Sequence, residues 1–201
     1  RPSIERLCDT VMRYAPDKKG IVYAIYIKHA EHIAEYYKER GLNAVAISSK
    51  TPAEERKSII ERFRNSNYSF RNTNCHELSM NDSFRNTNCQ VLDSPIRILV
   101  NVDLFGEGFD CPDVEFIQLA RPTLSLSKYL QQVGRGMRVY EGKRYCLILD
   151  NVGLYRLFGM PSDDRDWQAM FEGKSVGKGN IASAEERYSV AYALRDESRC
   201  I

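Results

Sequence analysis

The chain has 201 residues, 43% hydrophobic and 28% charged, a balance that suits one globular domain with a full core and excludes disordered and fibrous classes. A formal net charge of +2 gives no global field for a polyanion, so any nucleic-acid surface has to be a local patch. No apolar run exceeds the seven residues of "IVYAIYI", no secretory signal opens the chain, and the six cysteines contain no C-x-x-C, so a cytoplasmic protein with reduced thiols and no membrane partner is expected.

From Ser3 to Tyr14, the residues Ile4, Leu7, Cys8 and Val11 fall at i, i+3, i+4 and i+7, the stripe of an amphipathic helix. "IVYAIYI" (21–27) is a continuous apolar run bounded by Gly20 and predicts a strand buried on both faces. In "KHAEHIAEYYKERG" one helical face carries Ala30, Ile33, Ala34 and Tyr37, and Gly41 is the stop. His29 and His32 on that helix are expected at the surface rather than on a metal. A short strand "NAVAIS" follows, then a helix opened by "TPAE", with Thr51 as cap, Pro52 at the first helical position and Glu54 closing a capping box.

Strand, helix, strand, helix is the order of a parallel sheet with crossover helices. Residues 65–95 interrupt it: they are rich in Asn, Ser and Thr and contain "SFRNTNC" twice, at Ser69–Cys75 and Ser83–Cys89. The unit is too short for a solenoid repeat, so it reads as a local duplication in a surface loop. A Cys75, His76, Cys89 metal cluster is the alternative, and it lacks a fourth ligand at sensible spacing. "IRILVNV" (96–102), "VEFIQLA" (114–120) and "RYCLILD" (144–150) are three further buried strands. Beyond them, "DDRDWQAMF" starts a short helix, its acidic residues suiting a helix opening better than a metal site; "GKSVGKGN" is a joint, and Ser183 with Glu186 caps a terminal helix to about Arg199.

Two stretches carry chemistry. In "QQVGRGMR" (131–138), placed on a helix, Gln131, Arg135 and Arg138 fall on one stripe, with Leu130, Val133 and Met137 opposite. Gly134 and Gly136 strip the helix of side chains, each at roughly 1 kcal/mol against alanine, which permits close approach of a backbone or ligand. Two guanidinium forks there suit phosphate oxygens; a solvated basic face is the other reading. In "VNVDLFGEGFDCPDV" (100–114) a glycine-containing loop directly follows a buried strand, at the carboxyl edge where open α/β sheets place ligands. Gly106 and Gly108 let backbone amides face a phosphate, and Asp110 can accept from a ribose hydroxyl; an ordinary βα loop with turn glycines is the plainer reading.

Together these stretches resemble motifs V and VI of superfamily 2 DEAD/DEAH-type helicases and translocases, in the order expected of that family's second, C-terminal RecA-like domain. "EGFD" is similar to the G-x-D loop, and "QQVGRGMR" matches Q-x-x-G-R-x-x-R at every fixed position. Upstream, "GIVYAIYIKHAEHIAEYYKERG" resembles motif IV. The resemblance covers roughly residues 15–170 with 65–95 as an insertion. Gln131, where RNA helicases with H-R-x-G-R-x-G-R have histidine, inclines it to DNA helicases of repair and restriction motors.

The resemblance implies an α/β, RecA-like parallel sheet flanked by helices and lacking its own P-loop, over residues 1–172, with 173–201 as linker and C-terminal helix. Arg135 and Arg138 are then arginine fingers for the γ-phosphate of ATP, while Gln131, Gly108 and Asp110 bind nucleotide. Val102 and Gly106 stand where the family often has threonine, so no hydroxyl contact carries over there. By loop position, Lys28, Ser48, Ser49, Lys50, Asn101 and Asp103 are candidates for phosphates of a nucleic acid, DNA rather than RNA, with helix capping as the alternative for each. No G-x-x-x-x-G-K-[ST] occurs, "GKS" at 173–175 lacking both the first glycine and a preceding strand. ATP and Mg2+ are therefore expected mainly on an N-terminal RecA-like domain of the same polypeptide, of which a chain opening at arginine is expected to be one piece. A non-catalytic RecA-like module that binds nucleic acid or docks a partner is the rival.

Overall fold

The computed structural model describes residues 2–67, 95–102 and 109–172. Its elements run α1 (Pro2–Tyr14), β1 (Gly20–Tyr23), α2 (Ile27–Glu39), β2 (Ala44–Ile47), α3 (Ala53–Arg64), β3 (Ile98–Asn101), β4 (Phe116–Leu119), α4 (Leu126–Gly136), β5 (Leu147–Asp150), α5 (Leu154–Phe158) and α6 (Trp167–Phe171). All strand pairs are parallel, in the order β2-β3-β1-β4-β5.

Both faces of the sheet are covered. Val22, Ile98, Val100 and Phe116 point to one side, where Ile4 and Leu7 of α1 and Ile33 and Tyr37 of α2 close a core. Ile21, Leu99, Ile117 and Leu119 point to the other, against Phe63 of α3, Tyr129 and Val133 of α4, and Leu157 of α5. Strands buried on both faces need apolar residues at successive positions, which is why they read as runs rather than alternations. The connection leaving β1 goes to α2 on one face and that leaving β4 goes to α4 on the other. A crevice therefore opens at the carboxyl ends of these neighbours.

Several local expectations are corrected. The run 21–27 is divided between two elements. Ala24 N still donates to Asn101 O at 2.9 Å, but Ile25 N turns to His29 Nδ1 at 3.4 Å and α2 begins at Ile27. A continuous apolar run cannot distinguish a strand from a strand plus the first buried turn of a helix. His29 is accordingly buried, at 2% exposure, not on the surface. Thr51 does not cap α3: its hydroxyl accepts from Ser48 N at 3.1 Å within the preceding turn, and Pro52 takes the cap position with no side-chain bond.

The largest correction concerns "QQVGRGMR". α4 ends at Gly136 with Met137 as its cap, so Arg138 stands on the turn after the helix and not on its stripe. Val133 and Arg135 are both buried, and Gln131 is exposed. The two glycines also differ. A Cβ on Gly136 would lie 2.5 Å from Cys146 Sγ and 2.7 Å from Ile117 Cγ1, so this glycine lets α4 press onto β4 and the start of β5. A Cβ on Gly134 would meet nothing within 4 Å. The duplicated unit, the Cys75, His76, Cys89 set, the "GKS" stretch and the terminal helix lie outside the described residues.

Candidate active site at the carboxyl edge of the sheet

Register aligns the last residue of every strand into one row: Ile47, Asn101, Tyr23, Leu119 and Asp150. Tyr23, Ile47 and Leu119 of this row lie in the core on the α4 side. The Tyr23 hydroxyl is buried and has no hydrogen-bond partner among the described residues. Its burial pushes the phenol well above its usual pKa, against the opposing pull of Arg135 and Arg138 nearby. Gln132, on the buried face of α4, likewise has a buried Oε1 without a partner among the described residues. Buried polar side chains in native proteins are nearly all satisfied, so such atoms mark places where something else completes the set.

The two arginines converge on one acceptor. Arg135, 7% exposed, donates from Nη1 to Phe109 O at 2.6 Å, and Arg138 donates from Nη1 to the same carbonyl at 3.2 Å. Arg138 also forms an ion pair with Asp110; these side chains are 40% and 71% exposed. Arg64, at the end of α3, donates to Asp110 O at 3.1 Å and lies over the Phe109 ring. An exposed ion pair is worth roughly 0–1 kcal/mol, so an incoming anion can displace the Asp110 carboxylate from Arg138 at little expense. Arg135 is the held member of the pair and Arg138 the outward one.

Beneath them, residues 109–113 are fixed to the body of the domain. The buried Lys19 ammonium meets Asp113 Oδ2 at 2.8 Å, donates to Arg64 O at 3.2 Å and sits 4.5 Å from the centre of the Phe63 ring. Cys111 donates its thiol to Asp113 Oδ1 at 2.9 Å. Burial, then that bond, pushes the Cys111 thiol up to about 12, so it stays protonated and unreactive.

The remaining candidates spread along the same edge. Gln131 faces a cleft of about 430 Å³ between α4 and α6, lined also by Leu126, Leu130, Trp167 and Met170, while Arg135 is turned inward. Lys28 is exposed in the first turn of α2 rather than in a loop, and Ser49 and Lys50 are exposed in the β2–α3 loop. Ser48 is buried and its Oγ accepts from Lys50 N at 3.3 Å, which makes it a turn-forming residue in this state. Asn101 is buried at the end of β3. Asp103 and Gly108 lie outside the described residues. Tyr23 and Gln132 escaped the sequence reading. A tyrosine closing an apolar run looks like core, and Gln132 is the non-fixed neighbour of a motif glutamine. Among the described residues no cluster of His, Cys, Asp or Glu could hold a metal ion, and no helix is long and apolar enough to cross a membrane.

The helicase conserved C-terminal domain family matches residues 2–71 and 68–140. A 51.5 kDa protein of Lactococcus phage (isolate 7-9) is 33% identical over 177 residues, which is 87% of this chain and 33% of the phage protein. A Saccharomyces cerevisiae protein provisionally named ATP-dependent helicase IRC3 is 26% identical over 179 residues, 85% of this chain and 22% of its own length. The chain thus spans a third or less of both relatives. Among solved structures, the E. coli DEAD-box protein SrmB, crystallised with RraA, superimposes with a TM-score of 0.55 at 16% identity, covering 81% of this chain and 79% of that one. The likeness to SrmB is one of fold, a RecA-like helicase domain.

Proposed function

Because the chain belongs to the helicase conserved C-terminal domain family, we propose that it is the second motor domain of an ATP-dependent nucleic-acid helicase or translocase. DNA is the expected track, since Gln131 replaces the histidine of the RNA-type motif. The observation that carries the reading is the pairing of Arg135 and Arg138 on the Phe109 carbonyl at the sheet's carboxyl edge, one guanidinium buried and one exposed.

On this reading Arg138 exchanges Asp110 for the γ-phosphate of ATP presented by an N-terminal RecA-like domain, and Arg135 keeps the Phe109 segment in place as it does so. A guanidinium aimed at developing charge acts in the transition state, and comparable fingers are worth roughly a thousandfold or more in rate. Asp110 and Gly108 report nucleotide state to the track, and Gln131 helps seat the nucleotide. The exposed Lys28, Ser49 and Lys50, with Ser48, Asn101 and Asp103 behind them, line the track and touch phosphates rather than bases. ATP and Mg2+ are bound mainly by the first domain, in keeping with a sequence that contains no P-loop. The location is cytoplasmic.

The test is ATP hydrolysis by the purified 201-residue chain and by the longer polypeptide, with and without single- or double-stranded DNA or RNA. The isolated chain is expected to be inactive and the longer polypeptide active and stimulated by DNA. Robust hydrolysis by the isolated chain contradicts the proposal. Nucleic-acid binding by a longer polypeptide without hydrolysis favours the non-catalytic module.

A further inference from the structure

Arg138 lies past the end of α4, on a turn whose neighbours Met137 and Val139 are 55% and 95% exposed. A finger on such a turn needs something to fix its backbone, and the helix no longer does so. The ammonium of Lys143 reaches back into this turn and donates to Gly136 O at 2.6 Å, Pro112 O at 2.9 Å and Arg138 O at 3.1 Å. An ammonium has three protons, and here three carbonyls receive them. They belong to the last residue of α4, to the arginine itself, and to the segment that carries Asp110 and Phe109. The first is among the carbonyls that a helix terminus leaves without an intrahelical partner, where a cation is also favoured by the helix dipole.

We propose that Lys143 is a positioning residue for Arg138: its tripod of hydrogen bonds locks the finger-bearing turn to the segment holding the finger's resting partner, so that both move as one body. The inference rests on the finger reading of Arg138 given above. Lys143 is half-buried, and its pKa is lowered by that burial, which outweighs the opposing pull of Cys146, Asp113, Glu115 and Cys111. An amine placed in such surroundings is held there by its acceptors rather than by solvent. Among the described residues Lys143 donates to the backbone of both segments, whereas Lys19 and Arg138 each meet a carboxylate.

The proposal is tested by a double-mutant cycle in the intact polypeptide that carries this domain, reading kcat and KM for ATP together with the melting temperature. Lys143→Met keeps the aliphatic stem and removes the three donors. Misplacement of a catalytic group by about 1 Å can lower a rate on the order of 100-fold, so kcat is expected to fall roughly 10- to 100-fold, with KM for ATP changed by less than about twofold. In the Arg138→Ala background the same substitution is expected to change kcat by less than about twofold, since there is no finger left to position. If Lys143→Met does not fold, Lys143→Gln, which retains two donors on a shorter stem, is carried through the same cycle with the same expectation at smaller amplitude.

An equal fold-loss in both backgrounds shows a merely structural lysine and overturns the proposal, as does unchanged kcat in a folded Lys143 variant. If Arg138→Ala alone leaves kcat unchanged, the finger reading itself falls, a result distinguishable from the first two because it appears before Lys143 is touched.

Discussion

Two buried glutamines on opposite faces of the sheet differ in how their side chains are bonded. On the side of α1 and α2, Gln118 is fully buried in the middle of β4, yet its amide is spent: Tyr37 donates to Oε1 at 2.6 Å, and Nε2 donates to Leu7 O at 2.9 Å and Asn151 Oδ1 at 3.0 Å. On the side of α4, the Tyr23 hydroxyl and Gln132 Oε1 are buried with no partner among the described residues. The first arrangement is architecture, tying α1, α2 and the end of β5 to one strand. The second leaves hydrogen-bonding capacity open among the described residues, and Tyr23 lies within electrostatic reach of Arg135 and Arg138.

Substitution sharpens that contrast. Gln118→Leu strands the Tyr37 hydroxyl and Asn151 Oδ1; each such group is worth roughly 1–3 kcal/mol, so a loss of about 2–6 kcal/mol is expected in urea unfolding. Gln132→Leu should stay within about 0.5 kcal/mol of wild type, because no bond among the described residues is broken, while lowering ATP turnover in the longer polypeptide. Equal destabilisation by both substitutions would erase the distinction between the two glutamines.

His29 offers a pH-dependent version on the α2 side. Burial first, then the neighbouring His32, lowers its pKa from 6.5 to about 4, so the ring is neutral in the folded state. Because the folded pKa lies below the unfolded one, the stability it contributes is complete above pH 6.5 and is lost as pH falls through about 4. The pKa difference corresponds to roughly 3 kcal/mol by pH 4. Unfolding midpoints of wild type and His29→Asn, which can still accept from Ile25 N but cannot ionise, should converge as pH drops from 7 to 4. A constant gap would contradict the assignment.

The glycines give the smallest and most local effects. Gly136→Ala drives a methyl into Cys146 and Ile117, and overpacking of this kind costs about 1–3 kcal/mol, partly offset by about 1 kcal/mol of helix propensity. Gly134→Ala meets nothing and should stabilise by up to about 1 kcal/mol, raising the melting temperature by roughly 2–4 °C. If the bare surface at Gly134 receives a neighbouring domain, the same substitution lowers turnover despite the added stability.

Much of this was legible in the sequence. The apolar runs and helical stripes gave the parallel sheet and its helices, since strands buried on both faces and amphipathic helices leave distinct periods. The spacing of Arg135 and Arg138 singled them out as candidates, and both donate to the Phe109 carbonyl. What stayed hidden depended on where elements end. Ile27 looks like a strand residue because the buried first turn of α2 is as apolar as the strand before it. Residues 131–138 read as one helical stripe, yet α4 ends at Gly136, which lies close against Cys146 and Ile117. Lys143 was invisible because its role depends on three backbone carbonyls, which carry no residue-specific signal.

The most direct test of the finger account is single-turnover ATP hydrolysis by the longer polypeptide bearing Arg138→Ala, with ATP affinity measured on the same preparation. The account predicts nearly unchanged affinity and a hydrolysis rate lower by about a thousandfold, as loss of a transition-state contact requires. Hydrolysis at the wild-type rate would contradict it.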